Sequence, residues 1–591
     1  MLVSPKRAWV VGLLGVVGAI LPLDASVGHA AGPTSVACGK AALLSALRMI
    51  DQSSSGSGTL SLAKGCTYTL DGIDNATDGP SGLPVVRGSV TILGNGATLA
   101  RALSAPPFRF FTVDAAGALN LQRLTLRGGA IPPGQTLGGG AILNLGSTDV
   151  SGVTFSGNAS LATVGGGAID NHNFAHLTVD LSTFVGNSSV LGGAVENEAT
   201  YCDTSRAVCG LAIVARSTFR GNSTSVFGGG AVGTAHANGQ IPACPPVTPG
   251  ACEMGGGAST VLTSDTLVDN TAETDGGAVA NAGTTSITSS TITRNVTVSN
   301  DDRFGGGGIQ NTGVLTVSSS TLAGNTSAFG ANIHTYHDTV DGLAPPVTTF
   351  ASTIVAALGA TGSSCGGQVA LIDAGYNLDT GTSCGFSVAQ HSVINAAPQL
   401  GSLASHGGPT QTMALGAGSA AIDVIPTATP GCAGAVDQRG IRRPDGPACD
   451  IGAMEMTLPD RVAAAGIARP SARFVSVGQS RGVYAGPGVR RVATSAGPGL
   501  LASARGATTF ITFAGSRLEL QLRAGPAAGR ARILVAGQVH VVDLYAPALR
   551  TVTASVSVRR GVHTARVVAL GSRSPSSRGT GVLLMALRVR S

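Results

Sequence analysis

Gly166-Gly167-Ala168-Ile169, followed shortly by Thr183-Phe184-Val185-Gly186-Asn187, decides how this chain folds, because the same two phrases return along it. The first recurs as Gly139-Gly140-Ala141-Ile142, Gly192-Gly193-Ala194-Val195, Gly229-Gly230-Ala231-Val232, Gly276-Gly277-Ala278-Val279 and Gly306-Gly307-Gly308-Ile309. The second recurs with Asn158, Asn222, Asn270, Asn295 and Asn325 at its end, as in Thr218-Phe219-Arg220-Gly221-Asn222. Where nothing is inserted, Ala141 to Asn158, Ala278 to Asn295 and Gly308 to Asn325 share one separation of 17 residues. A period in the twenties with short β-rich runs and Gly/Asn corners is the mark of a solenoid.

The residue types choose among solenoids. Between corners the chain reads Leu177-Thr-Val-Asp-Leu181 or Val314-Leu-Thr-Val-Ser318, alternating apolar with small polar residues, which suits strands. No helical pattern intervenes, so leucine-rich and ankyrin arrays are excluded. The expectation is all-β: a right-handed parallel β-helix over 59–394, with rungs about 4.8 Å apart. Ile142, Phe155, Ile169, Phe184, Val195, Phe219, Val279 and Ile309 should point inward. Three residues after each motif Ala stand Asn144, Asn171, Asn197, Thr234, Asn281 and Asn311, a column able to form an amide ladder.

These phrases, GGA[IV]xN and [FLI]xxN, resemble the repeats of chlamydial polymorphic outer-membrane proteins and of secreted bacterial β-helix proteins. The run Val90-Thr-Ile-Leu-Gly-Asn-Gly-Ala-Thr-Leu99 resembles an early rung of pectate-lyase-like proteins. The resemblance covers about a third of the chain and implies the fold; its members include adhesins, surface proteins and sugar-cleaving enzymes.

Upstream, Lys6 and Arg7 precede an apolar run from Trp9 to Leu23 that ends in Gly28-His29-Ala30. Residues 1–30 therefore read as a secretory signal peptide, and the protein as secreted, with no later membrane span. The ten cysteines fall into five local pairs, Cys38/Cys66, Cys202/Cys209, Cys244/Cys252, Cys365/Cys384 and Cys432/Cys449, and an even count in an exported chain implies disulfides. No CxxC occurs and no His stands at ligand spacing, so neither a metal centre nor a cofactor is expected. The amphipathic run Val36 to Ile50, within 31–58, reads as an N-terminal cap over the open end of the helix.

Downstream, Pro398-Gln-Leu-Gly-Ser-Leu403, Gly407-Gly-Pro-Thr-Gln-Thr-Met-Ala-Leu415, Asp437-Gln-Arg-Gly440 and Cys449-Asp-Ile-Gly-Ala-Met-Glu455 follow in order. The segment 395–456 resembles the choice-of-anchor Q domain, which follows β-helices in bacterial surface proteins. An Ala/Gly/Pro-rich stretch, 457–499, reads as a linker. From 500 to 591, strand-like runs separated by turns predict an antiparallel β-sandwich, resembling jelly-roll modules appended to extracellular enzymes. Residues 457–591 carry 19 Arg, no Lys and 3 acidic residues, a net +16, against −10 for the rest of the chain and +6 overall. Such a basic module invites a polyanion outside the cell. Its Arg residues show no interleaved aromatics, so specific nucleic-acid reading is not expected.

Candidate chemistry sits where stacked rungs pair carboxylates. If Ile169 and Asn171 point inward, Asp170 and His172 point outward, and Glu196 and Glu198 lie beside them one rung on. Asp170 and Glu196 would then stand about 5 Å apart, the spacing of a retaining glycosidase pair, with His172 as an acid or base. The competing reading is a solvated acidic face. Asp301-Asp302-Arg303 reads as a surface turn, and His334, Tyr336, His337 and Asp338 as a polar loop after the last repeat. The function classes are therefore a non-catalytic extracellular scaffold or adhesin, taken as a monomer that binds an extracellular polysaccharide or wall polyanion, and a polysaccharide lyase or glycoside hydrolase. The repeats lack aromatic sugar platforms, and the single Trp lies in the leader. That absence favours the scaffold.

Overall fold

The structure is a computed structural model that describes residues 32–199, 209–235, 257–337, 344–359, 363–464 and 466–591. Each phrase becomes a strand, and each strand pairs in parallel with its counterpart one rung away. The first-phrase strands build one sheet of nine, from Phe111–Val113 to Cys365–Gly367. Its register runs Phe111, Ile142, Ile169, Val195, Val232, Val279, Ile309, Ile333 and Cys365. A second sheet of 21 strands holds the middle run and the second phrase of every rung, and six two-residue strands close the third side. The expected inward residues Ile142, Phe155, Ile169, Phe184, Val195, Phe219, Val279 and Ile309 are all fully buried in one core.

Side-chain ladders hold the rungs in register. Asn144 donates to Asn171 and Asn171 to Asn197, each at 2.7 Å. The column is interrupted at Thr234, where Thr260 bridges instead, and resumes from Asn281 to Asn311 at 2.7 Å. A longer ladder lies at the end of the second phrase: Asn158, Asn187, Asn222, Asn270, Asn295 and Asn325 donate each to the next at 2.9–3.0 Å. Phe155, Phe184 and Phe219 stack beside it, with centroids 4.6 and 4.5 Å apart. The Gly-Gly phrase is required by close approach: a Cβ on Gly193 would meet the Gly230 carbonyl oxygen at 1.9 Å.

Helix α1 (Lys40–Asp51) closes the first rung, burying Leu43, Ala46, Leu47 and Ile50 in the helix core. The run read as helical from Val36 starts with a strand, Thr34–Val36, that pairs with Gly58–Leu62. Disulfides join Cys38 to Cys66, Cys365 to Cys384 and Cys432 to Cys449. Cys209 is disulfide-bonded too; Cys202, Cys244 and Cys252 lie outside the described residues, as do residues 1–30, the segment read as a signal peptide.

The 395–456 segment lies along the outer face of the second-phrase strands. Gln438 donates to the Asp265 carbonyl at 3.0 Å and to Thr266 Oγ1 at 2.9 Å, and accepts from Thr291 Oγ1 at 2.6 Å. Gly452 donates to the Ser352 carbonyl at 2.9 Å. The footprint shows in the strands beneath. The flanking residues of Phe155, Phe184 and Phe219 are partly or fully exposed, whereas those of Leu267, Ile292 and Leu322 are buried. Inside the segment Asp437 pairs with Arg439 at 2.8 Å and Glu455 with Arg443 at 3.2 Å, all four buried.

The stretch read as a linker is structured. It carries α2 (Leu458–Ala464) and the strands Val475–Ser476, Val483–Ala485 and Val489–Thr494. These strands pair into the C-terminal antiparallel sheet of nine. Its frame is two long strands, Thr508–Ala524 and Arg550–Ala569, each of which unites runs that read as separate strands. Alternate residues of these strands meet in one apolar cluster, so the sheet folds over on itself. Small and Gly residues in 457–499 hide strand character from a compositional reading, because the neighbouring chain supplies the pairing.

Candidate functional site

Asp170 and His172 stand on the strand Ile169–His172, and Glu196 and Glu198 on Val195–Glu198, with Asp170 opposite Glu196 and His172 opposite Glu198. Alternation turns them away from the helix core, as the spacing predicts. The three carboxylates do not reach solvent, and His172 keeps only a small exposed edge. Asp170 and Glu198 are 0% exposed and Glu196 1%, which overturns both the open glycosidase pair and the solvated acidic face. The reason is the corner between rungs. Each Gly-rich corner folds back over the first-phrase sheet, and the Gly138 N–H donates to Asp170 Oδ2 at 2.9 Å. A Cβ on Gly165 would fall 2.4 Å from Asp170 Oδ2, and one on Gly233 would fall 1.8 Å from Glu196 Oε2. The glycines are the space into which the carboxylates fit.

The electrostatics follow from that closure. Burial, then the nearby charge of Glu198, pushes the Asp170 carboxyl up to about 7, against the pull of His172, the Gly138 N–H and Arg109. Burial holds Glu196 well above the usual carboxylate range, helped by the charges of Glu198 and Asp170. Burial opposes charging His172, but its hydrogen bond to Glu198 and the charge of Asp170 leave it raised overall. His172 Nδ1 meets Glu198 Oε1 in a short contact and lies 3.9 Å from Asp170 Oδ1. Its Nε2 is 3.0 Å from the Asn173 amide. Three carboxylate oxygens in this layer have no hydrogen-bond partner: Asp170 Oδ1, Glu196 Oε2 and Glu198 Oε2.

Arg109 completes the layer and was not legible from the sequence. It is fully buried, donating to the carbonyls of Asp78 at 2.6 Å, Leu137 at 2.9 Å and Gly138 at 3.0 Å. Burial lowers its guanidinium to about 10. Only its register beside Phe110 and Phe111, ahead of the first clear repeat, could have signalled it. Further along the same column, Gln310 accepts from Gly305 N–H at 2.7 Å and donates to Asp275 at 3.0 Å. His334 occupies the next position on the strand Ile333–Thr335. It is buried, and burial lowers its imidazole, so it belongs to a rung and not to the polar loop expected there. Tyr336 and His337 follow the strand, and Asp338 lies outside the described residues. Asp301 and Arg303 pair at an exposed corner at 2.6 Å, which holds Asp301 at about 2. Two surface depressions lie over and beside α1, one lined by Lys40, Leu44 and Arg48 and the other by Leu47, Pro84 and Val90.

No family model matches the chain, and no curated protein does. Solved structures with local similarity include a two-domain esterase active on acetylated mannans, 16% identical over 20% of this chain and 35% of its own, with a TM-score of 0.17. A Paenibacillus xanthan lyase is 16% identical over 21% of this chain and 13% of its own, with a TM-score of 0.17. The CsCBM6-3 module of Clostridium stercorarium, in complex with cellobiose, is 15% identical over 21% of this chain and 99% of its own, with a TM-score of 0.16. This chain thus spans about a third of the esterase and about an eighth of the lyase. Overlaps of this extent carry no assignment of activity.

Proposed function

We propose that the protein is an exported, non-catalytic β-helix scaffold whose Arg-rich C-terminal module binds an extracellular polyanion, an acidic glycan or wall polymer. The observation that carries this reading is the closure of the acidic layer: the carboxylates that stacked rungs could offer for acid–base chemistry are buried under glycine corners. Turnover needs groups positioned against a bound substrate, and these carboxylates are buried. The basic residues supply the binding side. Arg490, Arg491, Arg505, Arg532, Arg550, Arg559, Arg560 and Arg566 are exposed on the C-terminal sheet and its turns, and only Glu519 and Asp543 oppose them beyond residue 500. The phrases of 395–456 resemble a module of bacterial surface proteins, which supports a place outside the cell, as do the disulfides.

The test is to incubate the purified protein with acidic and neutral polysaccharides and measure both pull-down and product release. Binding to acidic chains at low salt without release is expected. Release of reducing or unsaturated sugar, abolished by Glu196→Gln, would make the protein an enzyme and overturn the reading.

A further inference from the structure

We infer that Asp170, His172 and Glu198 form a binding site for one divalent transition-metal ion of the zinc class. One ligand atom from each of the three lies within 4.8 Å of the others. Ligands around an ion at about 2.0–2.2 Å stand roughly 3–4 Å from one another, and the 3.9 Å between His172 Nδ1 and Asp170 Oδ1 is too long for a hydrogen bond and right for an ion between them. Glu198 Oε1 is in short contact with His172 Nδ1, so an ion would take the place of that contact, with Glu198 turning its unpartnered Oε2 to it. Two independent observations point the same way. Asp170 Oδ1 and Glu198 Oε2 are fully buried and unpartnered, and a buried carboxylate oxygen without donor or cation is costly. Arg109, the basic group of the layer, turns both terminal nitrogens to backbone carbonyls, and its Nε has no partner, so it makes no hydrogen bond to these carboxylates.

The chemistry of the donors selects the ion. One imidazole nitrogen with two carboxylates suits zinc and its neighbours better than calcium or magnesium, which prefer all-oxygen shells. Two carboxylate charges balance a divalent ion, so the filled layer is neutral at these three residues. His172 Nε2 faces Asn173, whose amide can turn its oxygen to accept the ring N–H and fix the ring, the usual support for a ligating histidine. Three protein ligands leave one position for a water or an exogenous donor. The spacing of the ligands hides the site from a reading of the sequence, because they stand at i, i+2 and on the next rung, which only stacking brings together. The inference does not depend on the glycan reading, and its readout involves no glycan.

The whole protein, stripped with a chelator and dialysed, should take up one Zn²⁺ per chain by elemental analysis and by calorimetric titration. Saturation with Co²⁺ should give the intense visible absorption of a low-coordinate nitrogen–oxygen site. His172→Ala and Glu198→Gln should each weaken Zn²⁺ affinity at least about 10-fold, while His540→Ala, far along the chain on an exposed strand, should not. Circular dichroism establishes that each variant is folded. Should His172→Ala fail to fold, the Glu198→Gln titration decides alone, since Gln keeps the shape of Glu. Absence of stoichiometric Zn²⁺ uptake by the wild-type protein at about 10 µM metal, or uptake unchanged in folded Glu198→Gln, would overturn the site.

Discussion

At the scale of single residues, two positions expose how the stack is held. Asn222 makes four hydrogen bonds: its amide donates to the Phe184 carbonyl at 3.1 Å and to Asn270 at 2.9 Å, and its oxygen accepts from the Asn187 backbone and side chain at 2.9 Å. Asn222→Ala strands those partners in a dry core, so a loss on the order of 3 kcal/mol is expected, read as a lower urea midpoint. Asp265 is the second. It sits in a column of Ser182, Ser217, Ser290, Ser320 and Thr353 that bond rung to rung through backbone N–H groups. Its Oδ1 accepts from Ser217 N–H at 2.7 Å, and its Oδ2 has no partner. Burial holds its carboxyl well above the ordinary 3.8. For an acid with a raised folded pKa, the stabilising contribution is complete below the unfolded pKa and is lost as pH rises through the folded one. Asp265→Asn should therefore match the wild type near pH 4 and exceed it increasingly toward neutral pH, by a few degrees in Tm; a pH series of melting curves checks it.

Among elements, the contact to watch is the 395–456 segment against the β-helix. Gln438 is buried at their junction, and its amide nitrogen also lies 3.0 Å from Thr410 Oγ1 and from the Gln411 carbonyl, so two N–H groups are shared among four acceptors. One side chain thus ties two rungs and two turns of the segment together. Gln438→Ala should leave the rungs folded but free the segment, at a cost of about 2–4 kcal/mol. Limited proteolysis should cut within 395–456 at least about tenfold faster, with the repeat region still protected. The apolar cluster of Met413, Leu415, Ile425 and Ile451 against Ile354 and Leu378 sets the limit: hydrophobic burial keeps the segment nearby even when the hydrogen bonds are gone.

Over the whole molecule, the proposed polyanion binding rests on the division of charge. With +16 in the C-terminal residues and −10 in the remainder, a polyanion would be drawn to the C-terminal module. Exposed Arg contacts are screened by salt, with a Debye length of about 8 Å at physiological ionic strength and a few Å near 0.5 M. Binding to an acidic polysaccharide should fall at least about tenfold between 0.05 and 0.5 M salt, measured by sedimentation with the insoluble glycan. Replacing Arg559 and Arg560 by Ser should weaken it and flatten the salt dependence, without changing the thermal midpoint by more than about 2 °C, since both are exposed. Salt-independent binding would place recognition elsewhere.

The sequence by itself determined the rung. Spacing and type of Gly, Asn and Phe in the two phrases dictate which residues turn inward, because a β-helix is nearly one-dimensional and each position meets its own equivalent above and below. Ile169, Phe184 and the Asn144 column were legible for that reason, and so was the outward direction of Asp170 and Glu196. Whether an outward residue meets water was not. Asp170 and Glu196 are covered by corners whose path depends on backbone contacts between rungs, and Thr266 and Thr291 are covered by a segment more than a hundred residues away in the chain. The same limit hid the strands of 457–499, whose residues pair only because Thr508–Ala524 and Val582–Arg590 are already there. Local pattern fixes direction; only the tertiary fold decides what lies in that direction, because burial is set by whatever chain arrives to cover a surface.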